Sequence, residues 1–132
     1  MSTELIRLGN ALDHGNLPLS AAVRMGGTVH TAGILPIDPS TGEVVGETIE
    51  EQARIALSNL DTILRGAGSS LDRVGIVRVY LADIVADLDG FNSVYAEFFA
   101  RHHPARYALG VALAFPSLKV ELQAVASSDS QQ

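Results

Sequence analysis

Near the C-terminal end, the stretch "HHPARYALGVALA" (residues 102–114) places Arg106 directly after Pro104-Ala105, at the head of a run with no other charge. A guanidinium is a planar fork that grips a carboxylate through two hydrogen bonds and so fixes its orientation. At the mouth of a pocket Arg106 would bind a small anion; at a bare strand edge it would only meet solvent. Fifteen residues on, "KVELQAVA" (119–126) carries Glu121 between apolar neighbours. A cation and a carboxylate, each set in an apolar strand, are the candidate chemistry of this chain.

Other chemistries find no support. The chain has no cysteine, which rules out disulfides, thiolate metal sites and a cysteine nucleophile. His14 and His30 stand alone, and His102 and His103 are adjacent at the end of an expected helix, where cations interact with the dipole; none has metal-site spacing. Gly26-Gly27 and "GAGSS" lack the Lys-Ser/Thr of a phosphate-binding loop, and no Gly-x-Ser-x-Gly elbow exists. With 15 acidic against 9 basic residues, the net charge of −6 repels phosphate backbones, so no nucleic-acid partner is expected. No apolar stretch approaches membrane-spanning length and no signal pattern opens the chain, so the expectation is a cytoplasmic protein with no membrane partner.

The elements that must position Arg106 and Glu121 follow from periodicity. A chain of 132 residues makes one domain, expected over 1–126, with "SSDSQQ" (127–132) as a flexible tail. A short strand is expected over 4–8. Two β-prone runs joined by Gly26-Gly27 predict a tight hairpin, and "LPIDPSTGEVVGE" predicts a turn-rich loop. Thr48 and Glu51 have the spacing of a capping box. The apolar face Ile49, Ala53, Ala56, Leu57, Leu60, Ile63 and Leu64 then predicts a helix ended by Gly66 and Gly68.

"VGIVRVYLAD" (74–83) predicts a central strand covered on both sides. Phe91, Val94, Tyr95, Phe98 and Phe99 mark a second helix, stopped by Pro104, and strands are expected over 106–114 and 118–126. This order predicts an α+β fold, a single sheet with both helices on one face. The hydrophobic content of 47% and the uncovered second face predict self-association.

Side chains alternate along a strand. Tyr107, Leu109, Val111 and Leu113 share one face and are expected under the helices, which puts Arg106, Ala108 and Gly110 on the other. By the same rule Leu118, Val120 and Leu122 turn toward the helices. Arg106 and Glu121 are then expected together on the subunit-facing side, with small residues around the arginine leaving room for a ligand.

The segments "AGILPIDPSTGEVVG", "IEEQARIALSNLDTILRGAGSSLDRV", "FNSVYAEFFARHHPAR" and "KVELQAVA" resemble, in order, the RidA (YjgF) family of small trimeric proteins, from about Leu17 to Ala126. The resemblance implies a chorismate-mutase-like fold, a homotrimer with ligand clefts between subunits, and cofactor-free deamination of small enamine or imine acids to keto acid and ammonia. It assigns Arg106 to the substrate carboxylate, Glu121 to the hydrolytic water as the catalytic group, and Asn92 to the cleft. Leu19 stands where active deaminases carry a tyrosine. Ala32, Gly33 and Ile34 replace a Ser-Gly-Gln segment, and Tyr107 and Ala108 replace serine and cysteine. Leu19, Ala32 and Ala108 are therefore expected as apolar substrate-binding positions. The expected partners are a small imino or keto acid and the chain itself. A binding module without turnover is the second reading, and a ribonuclease or translation inhibitor the third.

Overall fold

In the computed structural model, which describes residues 2–128, the capping box closes as its spacing requires. Thr48 Oγ1 accepts from the Glu51 N–H at 3.1 Å, and the Glu51 carboxylate accepts from the Thr48 N–H at 3.1 Å. Two otherwise orphaned donors of the first turn are thereby satisfied. Helix α1 runs Ile49–Gly66 and buries all seven residues of the expected apolar face. The Gly26-Gly27 turn joins β2 (Ala22–Met25) to β3 (Thr28–Thr31), with Met25 opposite Thr28 and Gly26 at φ 59°.

Strand β1 (Thr3–Ile6) precedes this hairpin; after α1 come β4 (Val74–Leu81), helix α2 (Ile84–Phe98), β5 (Ala105–Gly110) and β6 (Val120–Ser127). They form one mixed sheet in the order β1-β2-β3-β6-β4-β5. Strand β6 pairs antiparallel with both β3 and β4, whereas β4 and β5, linked through α2, are parallel. Helix α1 lies over β6 and β3, and α2 lies against β4 and β5 beside α1. The core fills this space: Leu57, Leu60 and Leu64 of α1 and Phe91 and Val94 of α2 meet Val77, Val79, Val120 and Leu122, all buried. The α+β expectation, a single sheet with two helices on one face, is thus met. No helix among the described residues is long and apolar enough to cross a membrane.

The register overturns one expectation. Val77 of β4 pairs with Arg106 and Ala124, and Val79 pairs with Ala108 and Leu122. Arg106 and Ala108 therefore share the helix-covered face, while Tyr107 and Leu109 project from the open face, 40% and 47% exposed. Glu121, Gln123 and Val125 of β6 also lie on the open face, opposite Tyr80, Arg78 and Ile76. The assumption that bulky residues turn inward fails on β5 because the small side chains fit the tight space beneath α2. Gly110 illustrates this: a Cβ there would come within 2.8 Å of Ile84 Cγ2. Within this chain β4 is likewise covered on one face only.

Several boundaries also move. β5 stops at Gly110 rather than at residue 114, because β4 ends at Leu81, opposite Gly110; beyond it only the Val111 N–H still donates to β4, to the Leu81 carbonyl at 3.0 Å. Helix α2 begins at Ile84, capped by Asp83 Oδ1 accepting from the Ala86 N–H, and ends at Phe98, well before Pro104. The β6 ladder extends to Ser127, and Ser128 is buried against the Arg24 side chain. Residues 129–132 of the expected tail lie outside the described residues.

Candidate active site

Glu121 stands at the floor of a cleft of about 650 Å³ on the open side of the sheet. Its walls come from the chain around His14 to Leu19, from Ala32 and Gly33 just after β3, from the turn-rich loop, and from Ala114 and Phe115. The backbone at Gly33 passes so close that a Cβ there would collide with Glu121 Oε2 and lie 3.1 Å from Cδ. Burial pushes the Glu121 carboxyl above the usual glutamate range, and the charge of His14 pulls it partly back. The structure thus gathers Leu19, Ala32 and Glu121, three of the six expected site residues, into one cleft.

Polar clamps hold the walls. Gln52 and Asn59 are buried on the inner face of α1, 1% and 4% exposed. The Gln52 amide donates to the Gly46 and Ser117 carbonyls at 3.1 and 2.8 Å, and its oxygen accepts from the Lys119 N–H at 2.8 Å. The Asn59 amide donates to the Leu35 and Ile37 carbonyls, both at 3.0 Å. Two loops without regular structure are thereby tied to the helix, and their buried or part-buried carbonyls are satisfied. On the other wall, Arg7 donates to the Leu19 carbonyl at 2.7 Å. His14 has φ 67°, the one non-glycine residue with positive φ among those described, and caps the short 3-10 turn Ala11–Asp13.

Arg106 lies elsewhere. Its guanidinium donates to Asn92 Oδ1 at 2.8 Å and sits 4.7 Å from the Tyr95 ring centroid and 5.7 Å from that of Phe91. Helix α2 therefore presents the asparagine and two ring faces to the arginine, an arrangement that fixes the fork by a charged hydrogen bond and cation–π contact. The Tyr95 hydroxyl is buried and without a hydrogen-bond partner among the described residues; burial raises its pKa, against the lowering effect of the Arg106 charge. Arg106 opens on a second hollow of about 510 Å³, with His103, Pro104 and Phe99.

Asn92 thus meets Arg106 and not Glu121. Ala108, two residues along β5, packs against the hydrophobic core. Ile34 is also core, 2% exposed, and exchanges backbone hydrogen bonds with Leu122 at 2.7 and 3.0 Å, so it is no cleft wall. No group of three or more His, Cys, Asp or Glu among the described residues is placed to hold a metal.

Sequence reasoning passed over Gln52, Asn59, His14, Phe115 and the stacking role of Tyr95. A signal existed for the first two: at offsets of three and four with Ala56 and Ile63 they interrupt an apolar helix face. Polar residues there must find buried partners.

A six-stranded mixed sheet with two helices on one face, carrying an apolar cleft lined in part by a half-buried glutamate, defines a small α+β protein with one candidate ligand cleft on its open side. Residues 11–128 match the family model described as Endoribonuclease L-PSP, and the chain belongs to this family, the RidA (YjgF) family. A RutC family protein of Pyrococcus horikoshii is 42% identical over 83% of this chain and 86% of its own. A human protein named 2-iminobutanoate/2-iminopropanoate deaminase is 37% identical over 83% of this chain and 79% of its own. The crystal structure of the YjgF gene product of E. coli superposes with a TM-score of 0.84 at 31% identity, covering 94% of this chain and 98% of that one.

Proposed function

We propose that the chain is a cytoplasmic, cofactor-independent deaminase that hydrolyses a small reactive enamine or imine carboxylic acid to a keto acid and ammonia. It works as a homotrimer whose clefts lie between subunits. The observation that carries this reading is the split of the charged groups: the half-buried Glu121 faces the open side of the sheet and Arg106 the helix side. A small acid needs both within a few ångströms, so the arginine comes from a neighbouring subunit. The exposed Tyr107 and Leu109 on the open face supply apolar surface for that contact. The human relative's name supports the reaction class.

The chemistry follows from the two groups. The guanidinium of the neighbouring subunit pairs with the substrate carboxylate and holds the molecule in register. An enamine first takes a proton on carbon and gives one up from nitrogen, both exchanged with solvent, to become the imine. Glu121 removes a proton from water as its oxygen adds to the C=N carbon, and the imine nitrogen takes up a proton from solvent. In the resulting carbinolamine the C–N bond breaks, its electron pair leaving with nitrogen. The nitrogen collects the proton held by Glu121 and departs as ammonia, while the hydroxyl returns its proton to solvent to give the keto acid. A carboxylate raised by burial is a stronger base than an ordinary one, which suits this role.

The test is ammonia and keto-acid release from an imine generated in situ by an amino-acid oxidase, with wild type, Glu121→Gln and Arg106→Ala. Acceleration by wild type and loss in both variants supports the reading. Keto-acid binding without turnover would favour the binding module instead, a reading to which the apolar Leu19 and Ala32 lend some weight. The family description names an endoribonuclease, but a net charge of −6 does not favour RNA, and salt-dependent RNA binding would be its mark.

A further inference from the structure

From the walls of the Glu121 cleft we infer that the acid handled there carries a branched or aromatic hydrocarbon side chain, as in the imines of leucine or phenylalanine, rather than a methyl group. This rests on the deaminase reading for the reaction but not for the binding preference. The cleft is lined by Leu17, Leu19, Leu35, Ile37, Val44 and Phe115, with Glu121, His14 and Thr41 the side chains in the lining that carry polar groups. In the single chain its 650 Å³ lies within the range of clefts that take ligands much larger than a three-carbon acid.

Three of the large apolar side chains stand open at this one site: Leu17 is 61% exposed, Leu19 43% and Phe115 53%. Apolar side chains gathered beside a desolvated carboxylate are a binding wall in want of an apolar partner. The clamps from Arg7, Gln52 and Asn59 hold this wall in place by the backbone, so it exists before a ligand arrives. The two alanines in the lining, Ala32 and Ala114, leave space that bulkier residues would fill. The carboxylate end of the ligand goes to the arginine, the imine carbon to Glu121, and the side chain to the leucines and Phe115.

Each methylene moved from water into such a wall changes affinity by about fourfold. Going from a methyl to an isobutyl or benzyl group should therefore raise kcat/KM by at least tenfold. The experiment measures imine loss with imines made in situ from alanine, leucine and phenylalanine. In parallel, wild type, Leu19→Ser and Phe115→Ala are titrated calorimetrically with pyruvate, 4-methyl-2-oxopentanoate and phenylpyruvate. The expected result is tenfold or greater preference for the larger acids, reduced at least fourfold in each variant. Equal or reversed preference in wild type overturns the inference. So does a variant that alters the oligomeric state while leaving the preference intact, because the wall would then serve subunit contact alone. If no imine is hydrolysed but the keto acids bind in the expected order, the deaminase reading fails and this inference stands. If none binds and none is hydrolysed, both fail.

Discussion

Arg106 and Glu121 stand on opposite faces of one sheet, on strands β5 and β6, with β4 between them. Strands lie about 4.8 Å apart, so two inter-strand steps and the thickness of the sheet separate the groups. One chain therefore cannot bring both to the same small acid. If the proposed site exists, it is shared, and variants of the two residues should complement each other. Arg106→Ala and Glu121→Gln, each inactive as a homotrimer, should regain part of the wild-type rate when unfolded and refolded together. Mixed assemblies contain interfaces with one intact copy of each residue. No recovery in verified mixed trimers would place both groups in one subunit or remove one from the reaction.

The oligomer itself is the simplest test. Light scattering should give a mass three times that of the 13.9 kDa chain, and substituting Leu109→Glu on the open face should lower it. A wild-type monomer at micromolar concentration would remove the shared cleft.

Arg106→Ala should weaken keto-acid binding or kcat/KM at least tenfold, since a charged hydrogen bond is worth about 1.5–3 kcal/mol. Arg106→Lys should restore little, because an ammonium keeps the charge and loses the fork. Asn92→Ala, which removes the 2.8 Å bond steadying the guanidinium, should raise KM more than it lowers kcat. Titration calorimetry and steady-state kinetics on the four proteins decide this.

Gly33→Ala should impair turnover more than folding. The added methyl meets the end of the Glu121 side chain, which is free to swing aside, so stability falls little while the carboxylate leaves its position. Loss of stability without loss of rate would refute the link between Gly33 and Glu121 placement. By contrast, Gln52→Ala leaves two part-buried carbonyls and the Lys119 N–H without their partner and should cost about 1–3 kcal/mol in urea unfolding.

Burial raises the folded-state pKa of Glu121, with the His14 charge opposing it. The folded chain then holds that proton more tightly than the unfolded one. Its contribution to stability is complete below the unfolded pKa and is lost as pH climbs through the folded value. Wild type should therefore lose stability relative to Glu121→Gln on going from acid to neutral pH. In the rate profile, the acid limb of kcat/KM should lie above the ordinary glutamate range. His14→Asn, a residue that tolerates left-handed backbone, should move that limb further up. An unmoved limb would dissociate His14 from the carboxylate.

Much of the fold was legible in local pattern, for physical reasons. The Thr48–Glu51 box, the Gly26-Gly27 turn and the apolar face of α1 are decided within a few residues, where backbone geometry and capping act. The alternation along β6 correctly turned Val120 and Leu122 toward the helices and Glu121 away from them. Arg106 stood out as the lone charge of its apolar strand, and Glu121 by alternation, on the face away from Leu118, Val120 and Leu122.

What only the tertiary structure decided is which face of β5 turns inward. Alternation divides a strand into two sets but does not say which is core, and here both sets are apolar apart from Arg106. The answer depends on the depth of the space under α2, which accepts Ala108 and leaves Tyr107 and Leu109 outside. The same holds for the cleft: Leu19 and Ala32 lie far along the chain from Phe115 and Glu121, and the two pairs meet only because β6, the last strand, enters between β3 and β4. Sheet order and the fit of side chains between layers are long-range properties, set by the whole core and not by any one segment.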